Sequence, residues 1–103
     1  MSHTELTSRE EYEAAIAKDD KYVLIFAYVD EVHPKAEERA QKHAGTTHNY
    51  KVDISKNESA AKGLGLTPAD APAVVIYKAG KEVKRFKNVN AEIAEEIGAF
   101  LGT

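Results

Sequence analysis

Residues Asp70 to Gly80 read DAPAVVIYKAG, and the arrangement of the whole chain follows from how this stretch is read. Pro72 stands at the head of a wholly apolar run, and Ala79-Gly80 closes it. A proline has no N–H to give a sheet ladder, so it belongs at the first residue of a strand. The residues after it, Val74, Val75, Ile76 and Tyr77, have no polar alternation and are expected to be buried on both faces, as in a central strand. Pro72, at the mouth of that strand, is where a binding site is expected.

On the C-terminal side, Ala79-Gly80 predicts a tight reversal into a second strand, Glu82 to Lys87. Strict alternation would put Val83 and Arg85 on one face and Glu82, Lys84 and Phe86 on the other. Its Lys and Glu residues suit an edge that resists sheet-to-sheet pairing. Asn88 or Asn90 is the expected cap of a last helix, on which Ile93, Ile97, Phe100 and Leu101 recur at helical spacing.

On the N-terminal side, Lys21 to Tyr28 (KYVLIFAY) is β-branched and aromatic and too short for an apolar helix, so it predicts a second strand without a wet face, next to the first. His48 to Ile54 alternates through Tyr50, Val52 and Ile54 as a third strand, and Thr4 to Leu6 could add a short edge strand. Thr7 with Glu10, or Ser8 with Glu11, could form a capping box for a helix whose apolar stripe is Tyr12, Ala15 and Ile16. Ser55 and Glu58 suggest another box for a short helix bearing Ala60, Ala61 and Leu64, ended by Gly63 and Gly65. Between the second and third strands, Pro34 would open a helix with Ala36, Ala40 and Ala44 on its inner stripe and Gly45 as its stop.

At 103 residues the chain is long enough for one domain with its own core. It contains no Cys, which removes thiol chemistry and Cys-ligated metals from consideration. The N-terminus MSHTELTSREE has no signal-peptide apolar stretch, and the longest apolar run, Tyr22 to Val29, is too short to span a bilayer. A cytoplasmic protein without membrane association is therefore expected. Fourteen Lys and Arg against seventeen Asp and Glu leave a net charge of -3. The basic residues are scattered, so nucleic acid is not an expected partner.

The order β, α, β, α, β, α, β, β, α, with a proline opening the strand before the final hairpin, resembles the thioredoxin fold over essentially the whole chain. The best local likeness is Ala71-Pro72 followed by AVVIYKAGKEV, which is similar to the cis-proline strand and hairpin of thioredoxins and protein disulfide isomerase domains. The run Gly65-Leu66-Thr67-Pro68-Ala69-Asp70-Ala71-Pro72 looks more like the non-catalytic b-type isomerase domains, because the loop of thioredoxin itself is shorter. The resemblance implies an α/β fold with a central mixed sheet of four to five strands, about four flanking helices and a cis Ala71-Pro72 bond.

It also implies where chemistry would sit. The family's CxxC pair falls on Glu31-Val32-His33-Pro34, or, with a one-residue gap, on Val32-His33-Pro34-Lys35, and neither reading supplies a cysteine. The family's buried carboxylate falls on Ile25 and its neighbouring tryptophan on Ala27. Three functional positions are lost together, so the chain resembles a redox-inactive member.

The remaining candidates are Asp30, Glu31, Val32, His33 and Pro34 on one side of a groove and Ala71 and Pro72 on the other. Acidic residues ahead of a helix are ordinary dipole partners, and no nucleophile accompanies Asp30, Glu31 and His33. His33, His43 and His48, with Asp53, lack the spacing of a metal site, and no metal or other cofactor is expected. Tyr28 could activate a bound thiol or could simply finish a strand with its hydroxyl near water. Gly63-Leu64-Gly65 ends a helix and lacks the strand and the GK pair of a phosphate loop.

Three functions remain open on the sequence. The first is a module binding a peptide or protein segment in the groove, with the backbone of Ala71 free to pair with it. The second is a glutathione-dependent or other transferase using Tyr28 or His33. The third is a structural domain that self-associates through Glu82 to Lys87 or the alanine-rich helix. The expected state is a monomer or weak homodimer.

Overall fold

The structure, a computed structural model, describes residues 4–7, 9–18, 20–29 and 47–101. A five-stranded mixed sheet runs through it, with strands β1 (Thr4–Glu5), β2 (Tyr22–Tyr28), β3 (Thr47–Asp53), β4 (Ala73–Lys78) and β5 (Lys81–Phe86) in the order β1-β3-β2-β4-β5. The strands β1, β3 and β2 are parallel, while β4 is antiparallel to both β2 and β5. The helices among the described residues are α1 (Arg9–Ile16), α2 (Glu58–Leu64) and α3 (Ala91–Phe100), with a 3-10 turn over Pro68–Asp70. The helix expected from Pro34, with Ala36, Ala40, Ala44 and Gly45, lies outside the described residues.

The two continuous apolar runs account for the centre of the sheet. Residues on β2 and β4 point alternately to two cores. On one side Val23, Ile25, Ala27, Ala73, Val75 and Tyr77 meet Tyr12 and Ala15 of α1 and Ala60, Ala61 and Leu64 of α2. On the other, Leu24, Phe26, Tyr28, Val74, Ile76 and Phe86 meet Ile97 of α3 and Leu101 just beyond it. Ile25, Ile76, Val23 and Val75 are fully buried, each side chain contributing about 1.5–3 kcal/mol by leaving water.

A polar contact fixes the first core. The hydroxyls of Tyr12 and Tyr77 are 3.0 Å apart, and the Tyr12 hydroxyl also donates to the Gly63 carbonyl at 3.3 Å. The two rings meet edge to face, with centroids 6.5 Å apart. Burial, reinforced by the bond to Tyr12, pushes the Tyr77 hydroxyl well above the ordinary tyrosine pKa.

The caps differ in detail from the sequence expectation. Glu11 accepts from both the N–H and the hydroxyl of Thr7, at 2.7 and 2.6 Å, so Thr7 pairs with Glu11 rather than with Glu10. Ser8 lies outside the described residues. Asn57 caps α2, its Oδ1 accepting from the Ala60 N–H at 3.2 Å. Ser55 lies two residues ahead of that cap and turns instead to Asp53, its N–H and hydroxyl both donating to Asp53 Oδ1, at 2.9 and 2.5 Å. Gly65 at φ 72° ends α2, whereas Gly63 lies inside the helix, where the Tyr12 ring covers it. Asn90, not Asn88, caps α3, accepting from Ile93 N–H at 2.9 Å.

The hairpin also departs from simple alternation. Ile76 pairs with Lys84 but Tyr77 pairs with Glu82, which leaves Val83 as an extra residue in a bulge. Alternation is reset by one, so Glu82 and Arg85 share a face and form an ion pair at 2.7 Å, and Val83 is exposed. Among the described residues no helix is long and apolar enough to cross a membrane.

Ile76 is fully buried in the second core, so Ile76→Ala should lower the unfolding free energy by about 2–5 kcal/mol in urea titration. Val83→Thr, at the exposed bulge, should stay within about 0.5 kcal/mol of the parent. Equal losses would refute this placement of the core.

Candidate functional site

The C-terminal ends of the parallel strands β2 and β3 and the start of β4 meet at one end of the sheet. Ala27 is level with Ala73, Tyr28 is level with Asp53, and the Ile54 N–H donates to the Tyr28 carbonyl at 3.0 Å. Ala71 and Pro72 stand immediately before β4 at this end, Ala71 half-buried against the first core and Pro72 exposed. The Ala71–Pro72 peptide bond is cis. In open α/β sheets the end carrying the carboxyl termini of the parallel strands is where ligands bind.

The chain reaches the proline through Thr67-Pro68-Ala69-Asp70. Pro68 starts the 3-10 turn with its φ already set, and Asp70 Oδ2 accepts from the N–H and hydroxyl of Thr67 at 3.0 and 3.3 Å. The backbone N–H of Thr67 is the chief reason the Asp70 carboxyl sits below the usual carboxylate range; partial burial opposes this, and Lys87 Nζ at 3.8 Å assists. The T-P-A-D run carried this capping signal, although its four residues are too few to register as a helical period.

Ala71 is less open than the sequence suggests. Its N–H donates to the Pro68 carbonyl at 3.2 Å, because the chain is still closing the 3-10 turn when it reaches residue 71. The carbonyl of Ala71 meets Asn88 Nδ2 at 3.5 Å, a long contact. The backbone of this residue therefore presents an acceptor rather than a donor and acceptor pair.

Asp30, Glu31, Val32, His33 and Pro34 follow Val29 in the chain and lie outside the described residues, as do Lys35 and His43. Ile25, where a buried carboxylate would stand, is fully buried among apolar neighbours, and Ala27 is likewise sealed in the first core. Tyr28 is committed elsewhere. Its hydroxyl donates to Glu5 Oε1 at 2.7 Å on β1, beyond β3 and on the opposite side of β2 from Pro72. Burial first, then the bond to Glu5, pushes its pKa well above the ordinary value, which leaves it a poor source of a phenolate.

Asp53, level with Tyr28, is held below the usual carboxylate range. Burial pushes its pKa upward, but the two donors of Ser55 outweigh it, with Lys56 Nζ 4.0 Å away. His48 pairs with Asp20 at 2.9 Å at the other end of β3, far from Asp53 along the strand. Among the described residues no group of three or more His, Asp or Glu could hold a metal ion.

Comparison with known proteins agrees with this geometry. No family model matches the chain. Thioredoxin-2 of Saccharomyces cerevisiae is 28% identical over 93 residues, covering 84% of this chain and 86% of that protein. The structure of Fasciola hepatica thioredoxin superimposes with a TM-score of 0.81 at 25% identity, over 94% of this chain and 97% of that one. Plasmodium falciparum thioredoxin gives a TM-score of 0.81 at 17% identity, over 94% and 97% of the two chains.

The fold is thus that of thioredoxin. The chain carries that fold without a single cysteine, so it has no thiol with which to exchange a disulfide.

Because the Asp70 pKa is depressed on folding, its contribution to stability is full above the ordinary carboxylate range, about pH 4, and is lost as pH falls through the folded-state value. Asp70→Asn should therefore be less stable than the parent at neutral pH, with the gap closing below about pH 4 in urea titrations at stepped pH. A gap that stays constant with pH would mean that the carboxylate charge is not what Thr67 and Lys87 hold.

Proposed function

We propose that this chain is a redox-inactive thioredoxin-fold module that binds an extended peptide or protein segment at the groove between Ala71-Pro72 and residues 30–34. One observation carries the reading. The Ala71–Pro72 turn remains at the surface where the strand ends converge, while the atoms that would react are gone, with Ile25 buried and apolar and no cysteine anywhere in the chain. The Ala71 carbonyl supplies one main-chain acceptor for a strand-like partner, and exposed Pro72 supplies an apolar wall beside it.

The transferase reading through Tyr28 has less support, because the Tyr28 hydroxyl is bonded to Glu5 away from the proline. Self-association through β5 is opposed by the Val83 bulge, which interrupts the outward row of main-chain groups that a second copy would need.

Titration of the ¹⁵N-labelled protein with S-carboxymethylated insulin B chain, and separately with glutathione, tests the proposal. Saturable amide shifts at Ala71 and Ala73 with the peptide, and none with glutathione, are expected. Shifts near Tyr28 with glutathione alone would replace this reading by the enzymatic one. Shifts that depend on protein concentration without any ligand would replace it by self-association. Insulin reduction should be nil throughout.

A further inference from the structure

Asn88 and Val89 meet the proline loop through four successive carbonyls. Asn88 Nδ2 donates to the Ala69 carbonyl at 3.0 Å and approaches the Ala71 carbonyl at 3.5 Å. The Asn88 N–H donates to the Asp70 carbonyl at 3.0 Å, and the Val89 N–H to the Pro72 carbonyl at 2.8 Å. Asn88 reaches this position at φ 52°, a left-handed conformation that asparagine tolerates better than most residues and glycine best.

The contacts divide into two sets. The main-chain pair, to Asp70 and Pro72, fastens the loop to the end of β5 whatever side chain residue 88 carries. The side-chain amide, on an exposed residue, is attached mainly at Ala69 and covers Ala71 only at long range. It can swing away by side-chain rotation without loosening the main-chain pair. The acceptor it covers is the one left to Ala71, whose N–H is already bonded to Pro68.

We propose that Asn88 gates the Ala71 carbonyl, its amide lying across one side of that acceptor at 3.5 Å until an extended segment presents a backbone N–H that takes its place. This rests on the peptide-binding reading above and deepens it. The gate selects for chemistry: a partner gains from moving the amide aside only if it brings a hydrogen-bond donor at that point of its backbone, and a segment with proline there has no N–H to offer in its place. Asn88 acts as a specificity residue for the site.

Asn88→Gly separates the two sets of contacts, since glycine keeps the positive φ and both main-chain bonds while deleting the amide. In a ¹⁵N titration with S-carboxymethylated insulin B chain, N88G should bind about two- to ten-fold more tightly than the parent, with shifts at the amides of Ala71 and Ala73. Equal or weaker binding by N88G overturns the gate while leaving the parent's peptide binding intact. Binding by neither protein overturns both the gate and the peptide-binding reading. If N88G does not give the dispersed spectrum of a folded protein, N88D, which keeps the size of the side chain and removes its donor, is read by the same criteria.

Discussion

Two strands without a wet face, β2 and β4, set the terms for everything else. Every residue from Val23 to Tyr28 and from Ala73 to Tyr77 is buried, so each strand needs a neighbour on both edges and a layer on both faces. Pairing them with each other satisfies one edge apiece, and β3 and β5 supply the others. Among the described residues, α1 and α2 cover one face and α3 the other. The site is a by-product of that solution. Because β2 and β4 are antiparallel, the end of one lies beside the start of the other, and Pro72 comes to lie beside the end of the Tyr28 strand.

The fold was legible because these two strands announce themselves in one dimension. Apolar runs bounded by turn residues require no knowledge of the partner, and the parallel order follows from the helices between strands. What the sequence concealed were choices between equivalent local partners. Ser55 has the spacing of a capping box with Glu58 but turns to Asp53, and the cap of α2 is Asn57, two residues on. The strand from Lys81 to Phe86 alternates polar types that give no facial signal, so the bulge at Val83, and with it the pairing of Glu82 with Arg85, could not be read from composition.

The candidate site was legible in place and less so in chemistry. Pro72 was recognisable because proline has few positions in a sheet, and Ala71 followed from it. That the Ala71 N–H would be consumed by the preceding turn was hidden, because the turn depends on Thr67 and Asp70 acting together over a very short span. Asn88 looked like a helix cap, since asparagine suits both a cap and a left-handed bend, and only its tertiary neighbours distinguish the two. Residues 30–34, the other side of the expected groove, lie outside the described residues.

The buried tyrosine pair has a consequence for how the chain recognises its own native state. Tyr12, Gly63 and Tyr77 come from the beginning, middle and later part of the sequence, with separations of 51 and 65 residues between the bonded partners. A collapsed form with α1 rotated, or with α2 undocked, could bury nearly as much hydrocarbon while stranding two hydroxyls away from water. Each stranded hydroxyl costs about 1–3 kcal/mol, a penalty that falls on near-native rivals and spares the native state. The pair thus acts as a proofreading contact, enforcing a single docking of helix on sheet where greasy surfaces alone would accept several.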